Sequence, residues 1–431
     1  MKPIMIVAGT RPEIIKLYPV IKWFKEFNVD YLFIWSGQHY DYLLSRVFFK
    51  ELGLPKINAD LHVGSGSQGV QTAGILVRLE RIIREYDPSI VVAEGDTNTV
   101  LAGALASVKC YIPFAHVEAG LRCWNMKMPE EVNRRVADAL AGIHFAPSEL
   151  AALNLLFEGI SRGSIHVTGN TIVDVIHEFK DRASDFAGNL LTKFNLKRGE
   201  FLLITLHRVE NVDNPVRLRA VIEALSKLSN YYQIVFPLHP RTRNILTNLK
   251  MLDYLARRIK LIEPLGYFEF LALLLNCRVV LTDSGGVQEE AFSLKVPTVT
   301  LRYNTERPET TIFDVNMLAG AEKEKIVELT LKQARRYDEI RKLDVKNPLG
   351  DGLAGKRIAQ LLKESAEGNV AIKEPDLRET PVIEYRLLDK ERNLEGTLLF
   401  DMLASFDNNG KPTLQNIGGS KFLARIKGKF R

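Results

Sequence analysis

Three cysteines in 431 residues, Cys110, Cys123 and Cys277, are odd in number, far apart and never spaced as CxxC. That excludes a disulfide framework and a cysteine-based zinc site, and it fits a reducing cytoplasm. Long apolar runs are also missing. Ile4–Ala8 is too short for the core of a secretion signal, and the longest later run, around Phe270–Leu281, is interrupted by Asn276 and Arg278, so no membrane span is expected. A real charge excess is lacking as well. The formal net charge is +6, but the six basic residues from Lys411 to Arg431 face no acid there, which leaves the rest of the chain balanced. Nothing in the globular part therefore calls for a nucleic-acid partner.

What remains is an ordinary globular composition, 46% hydrophobic and 26% charged, at a length that implies two or more domains. Short β-branched runs alternate with helical patterns: IMIVA with a helix from about Pro12, YLFIWS with one near Tyr42, IVVAE with TVLAGALAS, IPFAHV with EEVNRRVADAL. A second set starts near residue 200 with FLLITL, RLRAVIEALSKL and YQIVFPL and runs through RVVLTD, VQEEAFSL and PTVTL. This pattern predicts two α/β halves built on parallel sheets, joined around Thr171–Leu190.

Ligands of open parallel sheets bind beyond the carboxyl ends of the strands, so the residues that follow each apolar run matter most. Gly9-Thr-Arg-Pro-Glu13 reads as an N-cap with a capping-box partner, which sets Arg11 on the first turn of a helix able to hold an anion, with Lys16 one turn on. Arg11 paired to a neighbouring carboxylate is the plainer alternative. Asp283-Ser284-Gly285-Gly286 opens a helix, and its two glycines let backbone approach a diphosphate, with Glu290 in reach of ribose hydroxyls. An ordinary capped turn would use the same serine. Glu94-Gly-Asp96-Thr-Asn98 has the form of a strand-to-helix turn in which capping accounts for a polar residue. Glu118 follows a buried run, where a carboxylate needs partners, and His116 and Arg122 are the nearest in sequence. His207 has Arg208 and Glu210 beside it, whereas His239 reads as structural. Gly64-Ser-Gly66-Ser-Gln-Gly69 matches GxGxxG, but the first strand carries GTRPE instead, so dinucleotide binding is not expected.

Taken together, GTRPEIIKLYPVI, SGQHYD, EGDTNT, HVEAGLR, MPEEVNRR, GNTIVD, LHRVEN, LTDSGGVQEEA, NTERPE and NPLGDGLAGKRI resemble the non-hydrolysing UDP-N-acetylglucosamine 2-epimerases, in order, from about residue 4 to residue 365. The resemblance implies a glycosyltransferase-B fold, two Rossmann-like parallel-sheet domains facing across a cleft, at 1–170 and 171–365, followed by a C-terminal extension at 366–431. It also implies a cytoplasmic homodimeric isomerase that interconverts UDP-GlcNAc and UDP-ManNAc for polysaccharide supply without cofactor or metal. Asp96, Glu118 and Glu130 match the acid/base carboxylates and His207 a group near the departing diphosphate. Arg11, Lys16, Ser284, Gly285, Gly286, Glu290 and Arg307 match the UDP-binding set. Gln38 and His39 match a segment with which bacterial members bind a second UDP-GlcNAc as activator. The stretch CWNMKM before PEE is shorter than usual, which leaves Glu131 as a substitute for Glu130, and LRY stands before NTERPE where Asp and Thr are more usual. A UDP-sugar glycosyltransferase or a non-catalytic UDP-GlcNAc sensor would use the same fold.

Beyond about Gly368 no resemblance holds. PVIEYRLLD, TLLFDMLASF and KFLARIKGKF, with Asn408-Asn409-Gly410 as a turn, predict strands or amphipathic pieces, and the basic end predicts a solvated tail.

Overall fold

The computed structural model describes residues 2–38 and 57–368, and the backbone of four strands further on, 382–387, 402–406, 412–416 and 424–429. The helix expected near Tyr42, His39 and the Asn408–Gly410 turn lie outside the described residues. The chain divides into two compact units, Met1–Val175 with Pro348–Arg431, and Ile176–Asn347.

The first unit is built on seven parallel strands, β1 Ile4–Ala8, β2 Tyr31–Trp35, β3 Ala59–Asp60, β4 Ile90–Glu94, β5 Phe114–Val117, β6 Ile143–Ala146 and β7 Ile165–Val167. Their order is β3-β2-β1-β4-β5-β6-β7. β1 and β4 are buried at every position, as expected for strands covered on both faces, which is why they read as unbroken apolar runs. Helices α1 Arg11–Glu26, α2 Gln68–Tyr86, α3 Asn98–Lys109 and α4 Pro129–Leu140 carry the crossovers. Met5, Val7, Val91, Ala93 and Phe114 pack with Ile75, Leu79, Ile83 and Val100 into one core. Each such aliphatic side chain contributes about 1.5–3 kcal/mol by leaving water.

The second unit repeats the plan with six parallel strands, β8 Phe201–Thr205, β9 Gln233–Pro237, β10 Lys260–Ile262, β11 Val279–Thr282, β12 Thr298–Thr300 and β13 Asn316–Leu318, in the order β10-β9-β8-β11-β12-β13. Both sheets are Rossmann-like, and the order reverses between β1 and β4 in the first and between β8 and β11 in the second. Register decides what meets at those points. Val7 pairs with Ala93, Ala93 with His116 and Glu94 with Val117, so Gly9, Gly95 and Glu118 leave the sheet at one edge. Thr205 pairs with Thr282 and Thr282 with Thr300, which does the same for His207, Asp283 and Arg302.

The division differs from the expected boundaries in one respect. The joining segment is a single helix, α5 Thr171–Lys193, inside which the boundary falls, and residues 348–365, assigned by sequence to the second domain, belong to the first unit. The reason is local packing. Helix α7 Ala354–Ala366 lies against α1, and a Cβ at Gly355 would overlap Pro19 (α6, at 285–293, belongs to the second unit). Asp174 accepts from the Ala354 and Gly355 amides at 3.1 and 2.8 Å and caps α7. The GNTIVD and NPLGDGLAGKRI strings meet here as well: the Asn170 amide donates to the Leu349 carbonyl at 2.7 Å, and Gly350 packs its backbone on Gly169. These two motifs form a structural joint.

At the C-terminal end the three stretches expected as strands or amphipathic pieces contain strands, and Pro412–Asn416 is a further one. Val382–Leu387 pairs antiparallel with Ala424–Lys429, and Met402–Phe406 with Pro412–Asn416. Among the described residues no helix is long and apolar enough to cross a membrane.

Candidate active site

In the first unit, β1 ends at Ala8 and the chain turns through Gly9, where a Cβ would overlap the Ser36 and Thr99 hydroxyls. Thr10 caps α1 in extended conformation, and the buried Glu13 folds back to accept the Gly9 and Thr10 amides at 2.6 and 2.7 Å. Its other oxygen accepts the Thr97 hydroxyl at 2.5 Å. Burial pushes this carboxyl up to about 7, against the hydrogen bonds from Thr97, Gly9 and Thr10. Arg11 sits half-buried on the first turn of α1, where the helix N-terminus favours an anion.

Lys16, one turn further on, points its ammonium at carboxylates. It pairs with Glu118 and lies 3.4 Å from Glu94, and all three side chains are buried. The lysine is thus enclosed by the carboxylates of the β4 and β5 strand ends. Glu118 itself sits at φ +69°, in the left-handed region that costs a non-glycine residue about 1–3 kcal/mol. The turn is held by the Glu118 and Ala119 amides, which both donate to the Phe145 carbonyl at 3.1 Å. Gly120 follows at φ +85°, where a Cβ would strike the Ala151 carbonyl.

The partners expected for Glu118 are engaged elsewhere. His116 contacts Asp138 through Nδ1 at 2.6 Å and the Gly95 carbonyl through Nε2 at 2.8 Å. Arg122 donates to Glu158 at 2.5–3.0 Å and pairs with Asp138 at 2.7 Å. Burial would raise the Asp138 carboxyl, but His116 and Arg122 outweigh it and hold it well below the usual range. His116, Asp138 and Arg122 form a buried ionic knot under the turn.

Asp96 is half-buried and pairs with Arg134, while its carbonyl accepts from the Asn133 amide group at 3.0 Å. Glu130 and Glu131 differ in their surroundings. Glu131 is fully buried, accepting from the Cys123 and Trp124 amides at 3.0 and 3.1 Å and from Arg134 at 2.6 Å. It holds the CWNMKM loop in place. Glu130 is half-buried on the first turn of α4. Gln38 is buried with its carboxamide oxygen accepting from the Thr99 amide and hydroxyl at 3.2 and 2.9 Å.

In the second unit, Asp283 is the hub. Its carboxylate accepts from the His207 and Arg208 amides at 3.2 and 2.9 Å and from Asn211 at 3.3 Å, and it lies 3.3 Å from the His207 ring. The His207 side chain is 46% exposed, so the ring can meet a ligand. Ser284 caps helix α6 Gly285–Ser293, with its hydroxyl 3.5 Å from the Val287 amide. At Gly286 a Cβ would make only an ordinary contact with the Ser284 hydroxyl at 4.0 Å, whereas at Gly285 it would meet the Arg307 guanidinium at 3.1 Å. Arg307 is fixed over that glycine by Glu289 at 2.7 Å and Glu306 at 3.5 Å. Glu290 is buried on the same helix. Sequence reasoning missed Arg302, which forks onto Glu306 at 2.8 and 2.9 Å and reaches Glu210 at 3.1 Å. Its i, i+4 spacing to Glu306 was the available signal. The unusual Tyr303 stands 55% exposed beside it, with the Arg217 guanidinium 5.1 Å from its ring centre. His239 caps the helix Pro240–Asn248 through Nδ1, in keeping with its structural reading.

The GxGxxG loop leads from the edge strand β3 into α2, away from the switch point, as its displacement from the first strand implied.

The family model for UDP-N-acetylglucosamine 2-epimerase matches residues 23–363. The chain belongs to this family. The Methanocaldococcus jannaschii UDP-N-acetylglucosamine 2-epimerase is 45% identical over 83% of this chain and 98% of its own length. Its crystal structure in complex with UDP-GlcNAc and UDP superposes with a TM-score of 0.77, at 44% identity, over 84% of this chain and 99% of that one. A Pseudomonas aeruginosa relative named UDP-2,3-diacetamido-2,3-dideoxy-D-glucuronate 2-epimerase is 39% identical over 83% of this chain and 99% of its own. The names of these two relatives thus refer to different UDP-sugars, and the Methanocaldococcus jannaschii structure shares the fold found here.

Proposed function

We propose that the chain is a non-hydrolysing isomerase that interconverts UDP-N-acetylglucosamine and UDP-N-acetylmannosamine at sugar C2. The observation that carries this reading is the set of Lys16, Glu94, Glu118 and Asp96 at the switch point of the first unit, in a chain of this family. The C2 proton is too weakly acidic for simple removal. A carboxylate instead takes it as the C1–O bond to UDP breaks on the opposite face, which leaves 2-acetamidoglucal and UDP. Protonation of C2 from the other side and return of the UDP oxygen to C1 give the epimer, with no net change in redox state. Two proton-carrying groups and firm diphosphate binding meet that requirement.

Asp96, Glu118 and Glu130 supply the acid/base groups, with Lys16 assigned to Glu118 as its counter-charge. Within the second unit the α6 N-terminus with Ser284, Gly285 and Gly286, and Arg307, hold the diphosphate; His207 receives it as it departs; Glu290 takes the ribose. In the first unit Arg11 and Lys16 are assigned to UDP binding by the family resemblance. UDP-GlcNAc is favoured as substrate by the 45% identical relative.

Purified protein incubated with UDP-GlcNAc in deuterated water should yield UDP-ManNAc carrying deuterium at C2, read by NMR. Absence of both epimer and exchange would overturn the proposal. Because of the Pseudomonas relative, UDP-2,3-diacetamido-2,3-dideoxy-D-glucuronate belongs in the same experiment, and turnover of that sugar alone would keep the mechanism and replace the substrate.

A further inference from the structure

We propose that Glu13 is a positioning residue for proton transfer, setting the pose of Asp96 through the Thr97 hydroxyl. This inference rests on the 2-epimerase reading above. Glu13 is 2% exposed, and its partners come from the two strand-end turns that flank the switch point. One oxygen takes the Gly9 and Thr10 amides at 2.6 and 2.7 Å, and the other takes Thr97 Oγ1 at 2.5 Å. The Thr97 oxygen in turn accepts the Thr99 amide at 3.1 Å and caps α3. Asp96, the residue before Thr97, is tied on its other side to α4 by Asn133 and Arg134. It is thus held between α4 and α1.

Capping α1 requires only an acceptor for the two amides, and a neutral glutamine would serve without burying a charge. A carboxylate adds one thing, a second acceptor oxygen, and that oxygen takes the hydroxyl beside Asp96. The partners of Glu13 are all neutral: Gly9, Thr10 and Thr97. The charged groups nearby point elsewhere, Lys16 from α1 toward Glu94 and Glu118, and Arg134 from α4 toward Asp96 and Glu131. Protonated Glu13 would carry its hydrogen on the oxygen facing Thr97, which reverses that bond and turns the threonine hydrogen away.

The test compares full-length wild type, Thr97→Val, Thr97→Ser and Glu13→Gln. For each, kcat and KM for UDP-GlcNAc are measured across pH 6–9, with UDP affinity by calorimetry and a thermal melt. Displacing Asp96 should lower kcat roughly 10- to 100-fold in Thr97→Val and Glu13→Gln, with KM and UDP affinity within about twofold of wild type. Thr97→Ser should recover most of that loss. Wild-type kcat should fall below about pH 7, and Glu13→Gln, fixed in the donor pattern of the protonated acid, should lack that fall. Folded Thr97→Val and Glu13→Gln proteins with wild-type kcat and pH profile would overturn the inference alone. So would a loss shared equally by UDP affinity and thermal stability, which marks a mere cap. A wild type that forms no epimer from either sugar would overturn the functional reading, and this inference with it.

Discussion

Lys16 forms an ion pair with Glu118 while lying 3.4 Å from Glu94, and the three side chains are 3–8% exposed. One cation therefore neutralises two buried carboxylates, and the consequences of removing each member are unequal. Lys16→Met leaves two buried anions without their shared charge and should cost about 3–5 kcal/mol. Glu118→Gln leaves Lys16 with Glu94 and should cost clearly less. Denaturant unfolding of the two variants checks the order, and equal losses would show that Glu94 does not share the lysine.

The same pair separates stability from chemistry. Glu118→Gln and Asp96→Asn should each lower kcat by about 10²–10⁴, the range for a lost acid or base, while UDP binds with near wild-type affinity. The deuterium-exchange assay and calorimetry give the two readouts. Loss of UDP binding in either variant would place that carboxylate in ligand recognition.

Much of this arrangement was legible in the sequence, for a physical reason. Parallel strands covered on both faces read as apolar runs, so IMIVA and IVVAE marked β1 and β4, and the polar residues after them fell at the switch point. Two-residue β3 and three-residue β7 are too short to leave such a run and stayed hidden. The partners of Glu118 could not be read locally. Lys16 lies 102 residues away, and the nearer His116 and Arg122 are claimed by Asp138 on α4, a meeting decided by the packing of α4 under β5. Likewise, α7 returns to the first unit because Gly355 fits against Pro19 and Asp174 caps it, contacts with no signal in the string around residue 348.

Glu130 and Glu131 differ in burial and should differ in what their loss does. Glu131→Gln gives up the charge that Arg134 faces at 2.6 Å and weakens the bonds to the Cys123 and Trp124 amides, so it should destabilise by roughly 1–3 kcal/mol. Glu130→Gln should melt within a degree or two of wild type yet lose kcat. Thermal melts beside turnover separate them, and a stable, inactive Glu131→Gln would reverse the assignment.

Glu13 makes a prediction about pH that concerns folding alone. Its carboxyl is raised from the ordinary 4.5 to about 7 in the folded chain, so the unfolded chain holds fewer protons between those values. The stabilising contribution of the protonated group is complete below about 4.5 and is lost as pH rises through 7. Relative to Glu13→Gln, wild type should therefore lose stability between pH 5 and 8, by at most about 3 kcal/mol. Urea midpoints of the two proteins across that range test the sign, and a constant difference would show that the group does not titrate there.

Gly285 and Arg307 offer the sharpest test on the second unit. A Cβ on Gly285 would meet the guanidinium at 3.1 Å, closer than such contacts normally come, so Gly285→Ala must shift either Arg307 or the first turn of α6. Arg307 is not free to swing, because Glu289 holds its Nε at 2.7 Å. The displaced pair is the proposed diphosphate cradle. Gly285→Ala should accordingly weaken UDP binding by roughly tenfold, about 1.4 kcal/mol, with the first unit's carboxylates untouched. Gly286→Ala, whose Cβ would make only an ordinary 4.0 Å contact with the Ser284 hydroxyl, separates the two effects. If that second variant binds UDP better than Gly285→Ala, the Arg307 contact is the cause. If the two lose affinity equally, close approach of the ligand to the backbone at both glycines is the cause, and the role given to Arg307 fails.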